Sequence, residues 1–404
     1  MIKTNSLYDR LIWILTTLLF VLSTVLNMSY GGLILAALVA AIALVDILQN
    51  KMKLHIKFCI LYLWIALFTF YVSINSLWAE VPQYATRHVS SLLEMMLVLV
   101  VLYSCYKDRY NAVEMLLRAV MWRGYFICLY VFSRYGVNSV IYMLRNDIRM
   151  DNDVLNANSI GMAIGYAIII NTYFILKYKK IRLLDVAMLP SFFLLIASAS
   201  RKGLVLTGGG VLAVFLELNW NNKKKIQSFF RGVGVLVILL LGMLAISRLP
   251  FMSNMMNRME DLILLLTGQG ARGLSGYSRI EYMKLGIQLF KRNPLFGIGI
   301  DNARIYTLQL FGKDHYLHSN YFELLACGGL VGILIYYCIF TMIIRKNIKL
   351  KRWQNKESIF CLILLICMLV MDIGLVSYDN KITYYLLLIL FLEIDQIKKT
   401  QVRL

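Results

Sequence analysis

His318-Ser319-Asn320 stands directly before an apolar run that begins at Tyr321. A histidine at the mouth of a helix can take a proton from an alcohol, because its ordinary pKa is about 6.5. The same residue can equally anchor a helix end at an interface. Three arginines carry a second kind of chemistry. Arg201 lies in the tight turn Ser198-Ala199-Ser200-Arg201-Lys202-Gly203, Arg279 follows Ser278, and Arg272 precedes Arg279 by seven residues. Guanidinium groups suit bidentate phosphate contacts, so two or three converging on one point would hold a diphosphate. Lipid-headgroup contact or a structural ion pair is the competing use. A third cluster holds Trp78, Glu80, Pro82, Gln83, Tyr84, Arg87 and His88. Its aromatic content favours an interfacial belt, with contact to a lipid-borne substrate as the sharper alternative. Arg118, Arg123 and Asp372 fall inside apolar runs, where charge is costly and often functional.

The sequence has no phosphate-binding GxxxxGK[ST] loop, no HExxH and no serine-nucleophile elbow. Chemistry without ATP, a nucleotide sugar, a cofactor or a protein-bound metal is therefore expected. The seven cysteines form no CxxC pair and read as small apolar residues.

The elements that would position these residues are membrane spans. The chain of 404 residues is 60% apolar and only 16% charged, where a soluble domain carries about 25% charge. About twelve apolar runs follow one another, from Leu11–Met28 to Tyr384–Ile394, each near the roughly 20 residues a spanning helix needs. They are continuous rather than alternating, which argues against a β-barrel. The expectation is an all-α polytopic helix bundle, with residues 1–404 forming a single integral membrane domain.

The formal charge of +20 is an orientation signal more than a nucleic-acid footprint. Lys51, Lys53 and Lys57, the Lys177–Arg182 and Lys223–Lys225 clusters, Arg345–Lys356 and the C-terminal lysines all fall on one side of a twelve-span arrangement. That side becomes the cytoplasm, with both termini inside. The loop of about 250–320, between the ninth run (Phe229–Ile246) and the tenth (Tyr321–Ile344), then faces outward. Within it, Ser278 and Glu281 read as a capping box opening an amphipathic helix that Pro294 ends. Asn320 and Glu323 read as a second helix start, and Gly328 and Gly332 as a small-residue pair for close helix packing.

Together, Ser278-Arg279-Ile280-Glu281-Tyr282, the turn Asn293-Pro294-Leu295-Phe296-Gly297-Ile298-Gly299 and the run from His318-Ser319-Asn320 to Gly332 resemble the O-antigen polymerase and ligase superfamily. Ser200-Arg201-Lys202-Gly203 resembles its Ser-Arg-Gly element, with Lys202 interposed. The specific part spans about 60 residues. The resemblance implies a GT-C-like membrane glycosyltransferase, multi-pass in the bacterial cytoplasmic membrane, whose donor is a glycan on polyprenyl diphosphate. It implies Arg279, Arg201 and Arg272 on the diphosphate, His318 as general base with Arg279 catalytic beside it, and inversion at the anomeric carbon. Polymerisation of a surface polysaccharide is the expected activity, with a flippase and a chain-length regulator as partners beside the bilayer. Ligase-type transfer to a lipid or protein acceptor is the alternative within the superfamily. A transporter or flippase of the same lipid-linked glycan is the alternative outside it.

Overall fold

The computed structural model describes residues 7–25, 31–50, 57–146, 148, 150, 154–219, 227, 234, 264, 274–349 and 355–401. These residues form fourteen α-helices and no strand. In chain order they are α1 Leu7–Val25, α2 Gly31–Gln49, α3 Ile60–Asn75, α4 Pro82–Tyr106, α5 Ala112–Tyr135, α6 Val137–Arg145, α7 Ala157–Tyr178, α8 Met188–Ala197, α9 Arg201–Asn219, α10 Leu274–Arg292, α11 Ala303–Phe311, α12 Asn320–Lys349, α13 Lys356–Met371 and α14 Lys381–Gln401. A short 3-10 turn, Leu183–Ala187, leads into α8. Eleven of the twelve apolar runs coincide with these helices; of the ninth, Phe229–Ile246, only residue 234 is among the described residues. Six helices have the length and apolarity to cross a membrane on their own: α1, α2, α4, α5, α7 and α12.

Helix α3 shows why the bundle is a membrane protein. Its buried face carries Leu61, Trp64, Ile65, Phe68 and Val72 at helical spacing. Its other face exposes Ile60, Leu63, Leu67, Phe70 and Ile74, a continuous apolar stripe. In water such a stripe would drive association; against lipid tails it is at equilibrium.

The core is built by α7 packing between α5 and α9, α1 on α2 and α5, α3 between α4 and α12, and α14 against α4, α5 and α13. At one end, buried Arg109 ties three segments together, with Nε 2.8 Å from Asp9 and Nη2 3.1 Å from Asp46. Sequestered charge of this kind is tolerated only when paired, so Arg109 reads as a structural knot. Of the intramembrane arginines, Arg118 pairs with Glu114 one turn earlier on α5 at 2.7 Å and lies over the Phe174 ring. Arg123 is buried, and its Nε donates to Thr24 Oγ1 at 2.7 Å.

Two local expectations shift. Helix α10 begins at Leu274 rather than at Ser278, so Ser278 lies a turn inside it; Glu281 instead pairs with Lys284 at 2.8 Å. Asn320 does not cap α12. Its side chain reaches the 372–378 segment, accepting from Ser377 N at 2.9 Å and Tyr378 N at 3.2 Å. Glu323 reaches back over the helix start to accept from Leu317 N at 2.7 Å. Asp372 joins the same junction: it closes α13, accepts from Tyr337 Oη at 2.7 Å, and its carbonyl accepts from Asn320 N at 2.8 Å.

Candidate functional site

The segment Pro294–Gly299 is spliced into a break in α12. At Gly329 the helix turns through φ 63° and ψ −166°. The carbonyls of Ala326 and Cys327, which Leu330 and Val331 would bond in a regular helix, accept instead from Ile298 N at 3.1 Å and Gly299 N at 3.0 Å. In return Leu330 N donates to Pro294 O at 2.8 Å and Val331 N to Leu295 O at 3.1 Å. These four bonds replace those the break removes, as burial requires. Only glycine fits: a Cβ on Gly297 would lie 2.3 Å from the Cys327 carbonyl, and one on Gly329 would lie 2.4 Å from Leu295 O. Asn75 at the end of α3 fastens the far side, donating to Phe296 O at 2.9 Å and accepting from Ile300 N. Gly332 gives the Tyr71 ring room to pack on α12, which is what the Gly328–Gly332 pair provides.

This splice fixes the direction in which the chain leaves toward His318. His318 sits one residue before Ser319, with φ 59°. A left-handed backbone is costly for a non-glycine residue and persists where surrounding contacts over-determine it. Here the contacts are rings: Tyr316 meets the imidazole edge-on at 4.6 Å between centroids, Tyr282 of α10 lies at 5.6 Å and His315 at 5.7 Å. Burial, followed by the positive charges of Lys202, Arg279 and Arg304 and the neighbouring His315, pulls the His318 pKa down to about 3. The imidazole is thus neutral at physiological pH and sits in a field of cations.

Those cations come from three elements. Arg279 lies one turn before Tyr282 on α10. Lys202 and Arg201 open α9 and are both buried. Ser200 bonds both the Gly203 N–H and Asn158, at 3.2 Å each. Gly203 lets α9 cross α7 at Gly161 in close contact. The Ser-Arg-Lys-Gly element therefore delivers two cations at a helix N-terminus, where the backbone adds its own positive potential. The Lys202 stem runs alongside the 372–378 segment at Gly374, the same segment that Asn320 and Ser319 hold.

Of the residues singled out from sequence, Arg279 is near enough for its charge to bear on His318. Arg201 sits in the Ser200–Gly203 turn, while Lys202, its neighbour, is the residue of that turn whose charge bears on His318. Arg272 lies outside the described residues. Sequence reasoning passed over Lys202, Arg304 and Tyr316, and took His88 as belt. His88 is in fact buried on α4 between two carboxylates, with Nε2 3.2 Å from Asp301 Oδ2 and Nδ1 3.5 Å from Asp379 Oδ2. The sequence signal was there in Arg87-His88 sitting among aromatic residues, but not the carboxylates, which arrive from more than 200 residues away.

A cluster of fixed cations around a neutral imidazole can bind an anion and accept a proton beside it. No curated protein matches the chain. The model of the O-antigen ligase family matches residues 186–337, from the turn before α8 to Tyr337 of α12. That stretch contains the Ser200–Gly203 turn, Arg279, the spliced loop and His318, and over it the chain is similar to the O-antigen ligase family.

Proposed function

We propose that this protein polymerises a surface polysaccharide, moving a glycan from polyprenyl diphosphate to a hydroxyl of another lipid-linked repeat unit. The observation that carries the reading is that the charges of Arg279 and Lys202 bear on His318 at one end of the bundle, inside the family-matched stretch. In this reading residues 1–404 work as one membrane domain in the bacterial cytoplasmic membrane. Both termini lie in the cytoplasm and the His318 end faces outward, where a flippase delivers substrate and a chain-length regulator limits the product.

The acceptor oxygen attacks the anomeric carbon from the face opposite the diphosphate, so the configuration inverts. The C–O bond to the lipid diphosphate breaks, and the electron pair leaves with the phosphate oxygen. Arg279, Lys202 and the adjoining Arg201 meet the growing negative charge without reorganising, which is where preorganised cations act most strongly. The acceptor proton passes to His318. Buried and under the positive charges of Lys202 and Arg279, that imidazole is a feeble base, since a general base works best with a pKa near the working pH. The bound diphosphate supplies negative charge to the same cations and raises the basicity of His318. Donor binding thus arms the base, and acceptor deprotonation is confined to the loaded site.

The test uses purified protein in liposomes with one synthetic polyprenyl-diphosphate-linked repeat unit and no other acceptor. The polymerase reading expects a ladder of repeats on a gel. Intact bound donor and no ladder would turn the reading toward ligase-type transfer; donor carried across the bilayer unchanged would replace it with transport.

A further inference from the structure

His88 belongs to a polar chain that the reaction as described does not use. From α4 it faces Asp301 at 3.2 Å through Nε2 and Asp379 at 3.5 Å through Nδ1, and its ring packs edge-on against Tyr378. It thereby bridges the turn that follows the spliced loop and the segment between α13 and α14. Asp301 passes the contact on. Its Oδ1 accepts from Arg304 Nε at 2.6 Å, Arg304 Nη1 reaches Asp314 at 3.3 Å, and the guanidinium lies 5.6 Å over the Tyr316 ring. Tyr316 is the ring set edge-on against His318. Asp301 holds a left-handed backbone, φ 63°. For a non-glycine residue, that conformation persists because the surrounding pairings over-determine it.

The chain is buried at its centre and partly exposed at its rim. The side chains of His88 and Asp301 are 10% and 4% exposed, whereas that of Asp379 is 40% exposed. Both signs of charge border the edge-on Tyr316–His318 pair. Lys202 and Arg279 bear on His318, while Asp379 heads the charges acting on the Tyr316 hydroxyl, opposed by Arg304 and Arg279. A dianionic diphosphate is attracted to the first group and repelled by a partly exposed carboxylate. Sugar hydroxyls are donors that a carboxylate accepts without penalty, and an aromatic ring beside it offers a face for the apolar side of a pyranose.

Resting on the glycosyl-transfer reading above, we propose that His88 is a positioning residue for the acceptor: clamped between Asp301 and Asp379, it presents the Asp379 carboxylate to hydroxyls of the incoming saccharide and sets Arg304 and Tyr316 against His318. The occupant of this subsite is an uncharged, hydroxyl-rich sugar end, not a second diphosphate.

The experiment uses the full-length protein in liposomes, a fixed saturating concentration of lipid-diphosphate donor and a titrated synthetic repeat-unit saccharide without diphosphate as acceptor. Asp379→Asn, a change at the partly exposed rim, raises the acceptor KM roughly ten- to a hundred-fold, the value of a hydrogen bond to a charged group, and leaves the donor KM unchanged. Asp379→Glu, which keeps the carboxylate, recovers most of the loss. His88→Ala raises the acceptor KM and lowers kcat as well, since both arms of the clamp are cut. An acceptor KM unmoved by Asp379→Asn, or a donor KM raised equally, overturns the proposal while leaving glycosyl transfer intact. A parent protein that transfers no sugar overturns the transfer reading and this inference with it.

Discussion

His318→Ala is expected to abolish sugar transfer while leaving donor binding intact. General-base catalysis by a placed side chain contributes about 10²–10⁴-fold to rate, so kcat should fall by that factor. Binding of the donor should hold because Arg279, Lys202 and Arg201 are contributed by α10 and α9, not by the His318 segment. Arg279→Ala should behave differently, weakening donor affinity and kcat together, because its charge acts on the diphosphate in both ground and transition states. Transfer and donor binding measured side by side separate the two roles. Loss of binding in His318→Ala would assign the histidine to the diphosphate instead.

Gly329→Ala should be strongly damaging for a single added methyl group. Its backbone lies in a region essentially reserved for glycine, costing another residue about 1–3 kcal/mol. The new Cβ would also sit 2.4 Å from Leu295 O, and overpacking of this kind costs about 1–3 kcal/mol more. The four reciprocal hydrogen bonds between 294–299 and α12 cannot all survive the shift needed to relieve it. A lower melting temperature, together with loss of activity disproportionate to the loss of folded protein, is the expected signature. Gly312→Ala is the fair comparison. It too has positive φ but open space around its Cβ position, and it should cost only the backbone strain.

The spans were legible in the sequence because a membrane helix advertises itself through one variable, sustained apolarity. Of the described helices, those in apolar runs were placed to within several residues. The site was legible in part. His318 and Arg279 stood out through local pattern, and the Pro294–Gly299 turn through its glycines. What could not be read was which distant groups meet. Lys202 looked like an interruption between arginine and glycine, yet its charge bears on His318. His88 looked like belt because its partners, Asp301 and Asp379, are set by the splice and by Asn320's hold on the 372–378 segment, both long-range contacts. Asn320 itself looked like a cap because Asn before a helix usually is one; here the N–H groups of Ser377 and Tyr378 compete for the same side-chain oxygen and win.

The central claim is that the cations which bind the diphosphate also govern the base. It is tested most directly by titrating His318 in the ¹⁵N-histidine-labelled protein, with and without inorganic diphosphate. The protein has only four histidines, and subtraction of a His318→Gln spectrum assigns the signal. The account predicts an imidazole that stays neutral down to a pKa of about 3 in the free protein and takes up its proton at markedly higher pH once diphosphate is bound. An imidazole that titrates near its ordinary value in the free protein, or one that diphosphate leaves unmoved, would contradict it.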